Sequence, residues 1–454
     1  MGSTEVPNIF KAYDIRGLVG TELTPDFTFA TGAAFARFIM QEREPGTVVI
    51  GEDMRTSSSP LADAFSAGVT SLGLDVIRIG LASTDMLYFA SGKLNMPGAM
   101  FTASHNPAQY NGIKLCLSGA KPIGRESGLL AIENFVRSGS PISLGNVGKM
   151  SDQSLLSDYV KHLHTLVDVS GIRRLKIVID AGNGMAGYTA PAIFDGLNVE
   201  IIPMYFELDG SFPNHEANPI DPKNLKDLQK AVKKHGADIG LAFDGDADRC
   251  FLVDETGATV NPSDLTSLIA DRELKKHPGS SIIYNLISSR SVVEVIEENG
   301  GVALRSRVGH SYIKALMAQS GAIFGGEHSG HFYFKDFWRA DSGALAALHV
   351  IAALGTSKDS LSKLLKPYQR YFSSGEINSK VKDVQKIMSI IEQKYGQLDS
   401  VTIDDLDGLT INGDTWWFNL RPSNTEPLLR LNVEAKTLAR LEKITDEVLA
   451  TVRK

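Results

Sequence analysis

The sequence predicts an α/β protein with mainly parallel sheets, divided into four domains. Short apolar, β-branched runs alternate with helical patterns over most of the chain, the signature of βαβ units. Candidate strands lie at 47–51, 176–180, 238–243 and 281–285. Residues 26–40, 224–235 and 311–319 carry apolar positions three and four apart, as amphipathic crossover helices do. Gly, Ser and Pro cluster at 138–150, a second loop-rich crossing spans 253–262, and a third break falls at Lys366 and Pro367. The expected domains are therefore 1–150, 151–254, 255–366 and 367–454, the last less regularly alternating and closed by a charged helix at 437–453. That division suits 454 residues at the usual ~100–200 residues per domain.

With 43% apolar residues, 22% charged residues and a net charge of −7, the chain is of the ordinary globular class and has no basic excess for gripping nucleic acid. Any anion must be held by local cations. Cys116 and Cys250 lie apart in apolar surroundings and read as buried reduced thiols, which points to a reducing, cytoplasmic setting. The N-terminal stretch has no signal-peptide pattern. The longest apolar run, 344–354, contains His349, is too short to span a bilayer and reads as a buried helix. No membrane association is expected.

In chain order, the first candidate segment is KAYDIRG, where Lys11, Tyr13 and Arg16 share one short stretch. It is compatible with an ordinary charged turn. The next, FTASHNPAQYNGIKL, places Ser104 and His105 before Asn-Pro, a turn that ends a strand and holds the hydroxyl at a loop tip. Ser104 reads as polar surface or as a nucleophile or phosphate carrier; the missing Gly-x-Ser-x-Gly context argues against a hydrolase triad. Lys114 follows in a strand-like run, either as a solvated edge lysine or as a proton carrier.

DAGNGMAG sets Gly182, Gly184 and Gly187 as G-x-G-x-x-G after a strand. Asp180 would bring negative charge to a pyrophosphate, so a tight structural turn is the better reading than a nucleotide site. The strongest local signal is AFDGDADR. Period-two spacing throws Asp244, Asp246 and Asp248 to one side of an extended loop, where a divalent cation would offset their repulsion. Glu255 falls at the twelfth position of an EF-hand count, but Arg249 stands where that loop needs Gly, and strands rather than helices flank it. Arg249 offers a guanidinium for phosphate.

GGEHSGHFYF interleaves Glu327, His328, Ser329 and His331 with glycines, a pattern that suits sugar hydroxyls as well as a plain polar turn. The two histidines lack partners for a zinc site. In LRPSNTEPLLRL, Arg421, Ser423, Asn424 and Thr425 form a candidate phosphate cradle, with Arg430 following, or a helix cap.

Together TASHNP, DGDADR, GEHSGH and RPSNTEP resemble, in order and spacing, the motifs of the α-D-phosphohexomutase superfamily. The likeness runs from KAYDIRG to the C-terminal helix and is greatest to the bacterial phosphomannomutase and phosphomannomutase/phosphoglucomutase branch, of an actinobacterial type. The resemblance implies a heart-shaped molecule of three related α/β domains plus a smaller α+β C-terminal domain, around a central active-site cleft. It also implies an isomerase that interconverts mannose 6-phosphate and mannose 1-phosphate through a phosphoserine and a hexose 1,6-bisphosphate, with phosphoglucomutase or dual activity as the alternative. A non-catalytic nucleotide- or sugar-phosphate-binding protein is the rival from another class.

By the same resemblance, Ser104 is the phosphoserine and joins Asp244, Asp246 and Asp248 around Mg²⁺. Lys114, His310, His105, Arg16 and Arg249 serve the transfer. Tyr13, Glu327, His328, Ser329, Arg307, Arg421, Ser423, Asn424, Thr425 and Arg430 hold substrate. Where some bifunctional members carry a Lys, this chain reads YNLISSRS with Ile287, and Arg290 or Arg307 is expected to compensate. The partner is a small hexose phosphate, and the enzyme is a monomer or homodimer.

Overall fold

Four sheets follow one another along the chain in the computed structural model, which describes residues 8–139, 146–422 and 428–453. In the first, Thr47–Glu52 pairs in parallel with Asp75–Leu81 and Gly98–Phe101. Tyr110–Leu117 then runs antiparallel to Gly98–Phe101 and carries Ile15–Leu18 on its other edge. The sheet extends past residue 150, because Met150–Asp152 lies parallel to Asp75–Leu81.

The second sheet orders Cys250–Asp254, Ile239–Phe243, Leu175–Asp180 and Val199–Met204, and all but the first of these are parallel. The third is built on Val302–Ser306, Ser281–Asn285 and Phe324–Gly326, again parallel, with Phe332–Phe334 and Ala340–Asp341 antiparallel at the edge. The fourth is wholly antiparallel, Phe372–Lys380, Leu428–Ala435, Trp416–Pro422, Leu409–Asn412 and Thr402–Asp404. Helices Val384–Tyr395 and Leu438–Val452 bury Ile391, Leu441, Ile444 and Val448 against it.

One device recurs in all four domains. A strand is followed by its antiparallel neighbour: Gly98–Phe101 by Tyr110–Leu117, Ile239–Phe243 by Cys250–Asp254, Phe324–Gly326 by Phe332–Phe334, and Trp416–Pro422 by Leu428–Ala435. In the first three, the turn sits at the carboxyl end of a strand that belongs to the parallel set, where ligands bind in open α/β sheets. TASHNP, DGDADR and GEHSGH lie at these turns, and RPSNTEP joins Trp416–Pro422 to Leu428–Ala435, mostly outside the described residues.

The apolar run at 344–354 is the expected buried helix, Gly343–Thr356, with every residue from Ala344 to Leu354 buried. It packs between the cores of the second and third domains. Arg173 N–H donates to Gly355 O at 2.8 Å, and Ile172 lies against the same glycine. A polar knot joins three domains nearby. Buried Asp85 accepts hydrogen bonds from Ser83 (2.5 Å), from Tyr159 of the second domain (2.7 Å) and from Ser342 of the third (2.6 Å). Burial pushes its carboxyl up to about 6, against the pull of those three hydroxyls.

The seam between the third and fourth domains is bracketed by arginines. Arg290 donates to the carbonyls of Gly413 and Asp414, Arg305 pairs with Asp404 at 2.9 Å, and Arg307 donates to Leu406 O at 2.9 Å. Among the described residues no helix is long and apolar enough to cross a membrane.

Candidate active site

The serine loop adopts a shape its sequence could not hold unaided. Ser104 has φ +51°, a left-handed conformation costly for a residue with a Cβ. Two contacts hold it. Ser104 N–H donates to Thr102 Oγ1 at 2.9 Å, and the guanidinium of Arg55 gathers the loop's carbonyls from below. Arg55 donates to the oxygens of Ser104 (2.9 Å), Asn106 (2.7 Å), Pro107 (3.0 Å) and Tyr110 (3.1 Å), and its Nε pairs with buried Asp53 at 3.2 Å. Arg16 reaches the same loop, donating to Asn106 Oδ1 at 2.6 Å and pairing with Asp14.

Ser104 Oγ donates to Asp244 Oδ2 at 2.9 Å and lies 3.2 Å from His105 Nδ1. Burial first, and then Arg249 and Arg16, hold the His105 imidazole well below its usual basicity. The approach of the two loops depends on Gly245, since a Cβ there would stand 2.4 Å from Ser104 O.

Asp244, Asp246 and Asp248 are all buried, with one oxygen of each within 4.8 Å of the others. Glu255 instead accepts from Ser362 N and Oγ, and the loop sits in an antiparallel pair, so no EF-hand forms. Lys114 Nζ lies 2.6 Å from Asp246 Oδ2 and 2.7 Å from Asp248 Oδ2, while Thr84 Oγ1 donates to Asp246 Oδ2 at 2.6 Å. Burial opposes the Lys114 charge, but the two carboxylates outweigh it and hold the ammonium well above its ordinary value. Burial, with Asp248 and Asp246 adding to it and Arg249 opposing, pushes Asp244 up to about 7. Asp248 goes the other way: burial is outweighed by Lys114 and His331, and it stays ionised.

A divalent cation fits this donor set. Asp246 Oδ1 is buried with no hydrogen-bond partner among the described residues, and Asp248 Oδ1 has only His331 Nε2 at 3.5 Å. Arg249 is buried; its Nε donates to Asp244 Oδ2 at 2.8 Å, while its Nη2 has no hydrogen-bond partner among the described residues.

Glu327 is buried and held by three donors: Tyr333 hydroxyl to Oε2 at 2.6 Å, Gly309 N–H to Oε1 at 3.1 Å and, more loosely, Asn285 Nδ2 at 3.5 Å. His328 and Ser329 are half-buried beside it, and Ser329 Oγ is 3.1 Å from His331 Nδ1. His331 links this loop to the acids, with Asp248 at 3.5 Å, Glu327 at 3.8 Å and Asp341 at 3.8 Å. Asp341 is also paired with buried Lys314 at 2.6 Å, whose ammonium lies 4.1 Å above the Tyr88 ring. Tyr13 of the first domain packs edge-on against Tyr312 of the third, its hydroxyl against Gly309.

Arg421 is mostly buried. Its nearest acid oxygens, on Asp407 and Glu376, are 3.7 and 3.8 Å away, and its Nε has no partner among the described residues. Arg430 pairs with Glu376 at 3.1 Å. Ser423, Asn424 and Thr425, and the side chain of His310, lie outside the described residues. Arg307 and Arg290 are engaged with fourth-domain carbonyls, and Ile287 packs with Leu286, Trp417 and Val308. Arg307 is exposed and only its Nε is used in its contact with Leu406 O, so its terminal N–H groups are not engaged by that carbonyl.

The structure thus gathers Ser104, His105, Arg16, Lys114, the acid triplet and Arg249 at one point, with Glu327, His328, Ser329 and His331 adjoining. G-x-G-x-x-G is a structural turn: a Cβ on Gly184 would stand 2.6 Å from Gly245 O, and one on Gly187 2.2 Å from Phe206 O. Sequence reasoning missed Arg55, Thr84, Asn285 and the linking role of His331. For His331 the G-E-H-S-G-H pattern points to sugar hydroxyls or a polar turn, and nothing in it signals the contact with Asp248.

Comparison with known proteins follows the same four parts. The α/β/α domains I, II and III of phosphoglucomutase/phosphomannomutase match residues 7–141, 157–257 and 261–371, and the C-terminal domain of that family matches 376–451. A phosphomannomutase of Vibrio cholerae is 40% identical, covering 98% of each chain. A phosphomannomutase of Escherichia coli K12 is 39% identical, covering 94% of each. A phosphomannomutase/phosphoglucomutase of Pseudomonas putida is 37% identical, covering 97% of this chain and 94% of its own. The crystal structure of a phosphoglucomutase/phosphomannomutase family protein from Burkholderia thailandensis superposes with TM-score 0.89 at 32% identity, covering 98% and 97% of the two chains.

Proposed function

This chain belongs to the phosphoglucomutase/phosphomannomutase family across all four of its domains, and on that premise we propose that it interconverts mannose 6-phosphate and mannose 1-phosphate through a phosphorylated Ser104. The observation that carries this reading is the meeting of Ser104 Oγ and Asp244 at 2.9 Å, with the other two acids, Lys114 and Arg249 around them.

In the first half-reaction a hexose hydroxyl oxygen forms a bond to the phosphorus on Ser104 as the Oγ–P bond breaks, giving a hexose 1,6-bisphosphate. After the sugar turns over, Ser104 Oγ attacks the other phosphate and the opposite ester bond breaks. Lys114, held protonated by its two carboxylates, supplies a proton to the departing serine oxygen and takes one back in the return step. The attacking hydroxyl's own proton needs a second acceptor, for which His310 is the expectation.

Arg249 Nη2 and Arg16 supply cations for the equatorial oxygens of the transferring group. Asp244, Asp246 and Asp248 would hold the cation, which we take to be Mg²⁺; when bound, it neutralises charge on the phosphoryl group. Glu327 and Ser329 are placed to read ring hydroxyls, and Arg421 to hold the distal phosphate.

Mannose is favoured by the relatives named phosphomannomutase at about 40% identity; the name of the Pseudomonas putida relative keeps dual mannose and glucose activity as a second reading. One chain supplies every described part of the site, so a monomer suffices. The buried free thiols of Cys116 and Cys250 support a cytoplasmic setting. Turnover of mannose 1-phosphate and glucose 1-phosphate, primed with the 1,6-bisphosphate, is the test. Mannose 1-phosphate should be preferred, phosphate should be conserved, and Ser104→Ala should abolish turnover. Substantial activity in that variant, or stoichiometric release of inorganic phosphate, refutes the covalent scheme.

A further inference from the structure

Asn285 ends the strand Ser281–Asn285 and is fully buried, yet it faces the GEHSGH loop of the third domain rather than a sheet partner. Its amide is oriented by two neighbours. Ser288 Oγ donates to Asn285 Oδ1 at 2.8 Å, and the Nδ2 side faces the Glu327 carboxylate at 3.5 Å. That orientation makes Nδ2 the donor to His328 Nδ1, 3.1 Å away. An imidazole nitrogen that accepts carries no proton, so the one proton of the neutral ring sits on Nε2.

The surroundings keep the ring neutral. Burial, then the charges of Arg421, His331 and Arg430, push it down to about 3. Those charges also place His328 at the seam with the fourth domain, beside the guanidinium of Arg421. Among the described residues Arg421 has no acid closer than 3.7 Å and its Nε has no hydrogen-bond partner.

A fixed donor matters for some ligands and not for others. A sugar hydroxyl can donate or accept, so either ring tautomer would serve it. A phosphate dianion only accepts, and it is satisfied only when Nε2 carries the proton. The lock on the ring and the loosely paired guanidinium beside it, whose acids stand 3.7 and 3.8 Å away, ask for the same thing, an anion. We propose that His328 donates its Nε2–H to the phosphate at the non-reacting end of the bound hexose phosphate, and that Asn285 is the positioning residue that fixes His328 as a donor. This rests on the hexose-phosphate reading above. It adds a neutral third-domain donor beside the Arg421 guanidinium.

Two measurements test it. In histidine-labelled protein, the nitrogen-15 spectrum of His328, assigned by its loss in His328→Gln, should show a protonated Nε2 and a bare Nδ1 from about pH 6 to 8, across the range where a free histidine titrates. Asn285→Ala should turn this into a mixture of tautomers. In turnover assays, His328→Met should raise KM about ten-fold, the effect of one lost hydrogen bond to an anion, equally for mannose 1-phosphate and glucose 1-phosphate. His328→Gln, which keeps an N–H, should restore most of it, and kcat should move less than KM in both.

A protonated Nδ1 in the unmodified protein overturns the proposal. So does an unchanged KM in His328→Met, or a KM change that alters the preference between the two sugars, since that would put the ring at a hydroxyl. If His328→Met fails to fold, the spectrum and the Gln variant decide. Wild-type protein that turns over neither sugar phosphate refutes the functional reading instead, and the spectrum still reports on the lock.

Discussion

Arg55 is the buried staple of the serine loop, and replacing it with Met should separate folding from chemistry. The substitution preserves much of the apolar stem and removes the guanidinium, which donates to four carbonyl oxygens and to Asp53. Both members of the ion pair are buried, so removing one leaves the other unpaired, a loss of about 3–5 kcal/mol for such pairs. Asp53 escapes part of that by protonating. Burial already raises its pKa, and it keeps hydrogen bonds from Ser58 Oγ and the residue-55 N–H.

We therefore expect the lower end, about 3 kcal/mol, with Asp53→Asn/Arg55→Met recovering about half by removing the unpaired acid. Activity should behave differently. Nothing else among the described hydrogen bonds replaces the four that pin 104–110, and a displacement of about 1 Å at the nucleophile costs on the order of 100-fold in kcat. Urea unfolding read out by first-domain hydrogen exchange measures the stability, and primed turnover measures kcat. In the double variant, stability should recover without kcat. Parallel recovery of both, or an Arg55→Met protein within about three-fold of normal kcat, refutes the staple, since ordinary surface changes produce effects of that size or smaller.

The metal site should be pH-sensitive. In the cation-free protein Asp244 is raised to about 7, so it destabilises the folded state progressively as pH rises through that value, and it must lose its proton before it can hold a cation. Magnesium should therefore raise the melting temperature more at about pH 8 than at about pH 6, with close to one proton released per ion at the lower pH; an equal gain at both would contradict the assignment. The buried pair of Lys314 and Asp341 gives the other case: Lys314→Met should cost about 3–5 kcal/mol, and Lys314→Met/Asp341→Asn should regain most of it. Chemical denaturation checks both, and a single variant as stable as the parent protein would show that the pair is already neutral.

The elements legible in the sequence were those whose cause is local. The helix at 26–40 is found at Pro25–Gln41, with Thr24 capping Phe27 N–H, and Ser281–Asn285 has the bounds that its apolar run predicts. The helix expected at 224–235 begins later, at Lys226, because Asp221 caps Lys223 N–H and the chain first takes a 3₁₀ turn through Pro222–Leu225. The site divides the same way. Ser104 and the acids announce themselves through contiguous turn chemistry. Arg55, Thr84 and Asn285 do not, because each sits in unremarkable strand-end or helix-start sequence and acts on a partner 49, 162 or 43 positions away. No local pattern encodes such a distance. The seam contacts of Arg290 and Arg307 were illegible for the same reason, since their carbonyl partners lie 123 and 99 positions away.

The helix Gly343–Thr356 has no wet face, and part of the shelter it needs is given by residues made long before it. On the ribosome, the second sheet is finished roughly 90 residues before this helix leaves the exit tunnel, several seconds at ordinary rates of synthesis. During that interval an oily trough lies open beside Ile172. Fragments that stop between the second and third sheets should therefore stick to one another or to chaperones, while fragments cut after Thr356 should stay dispersed.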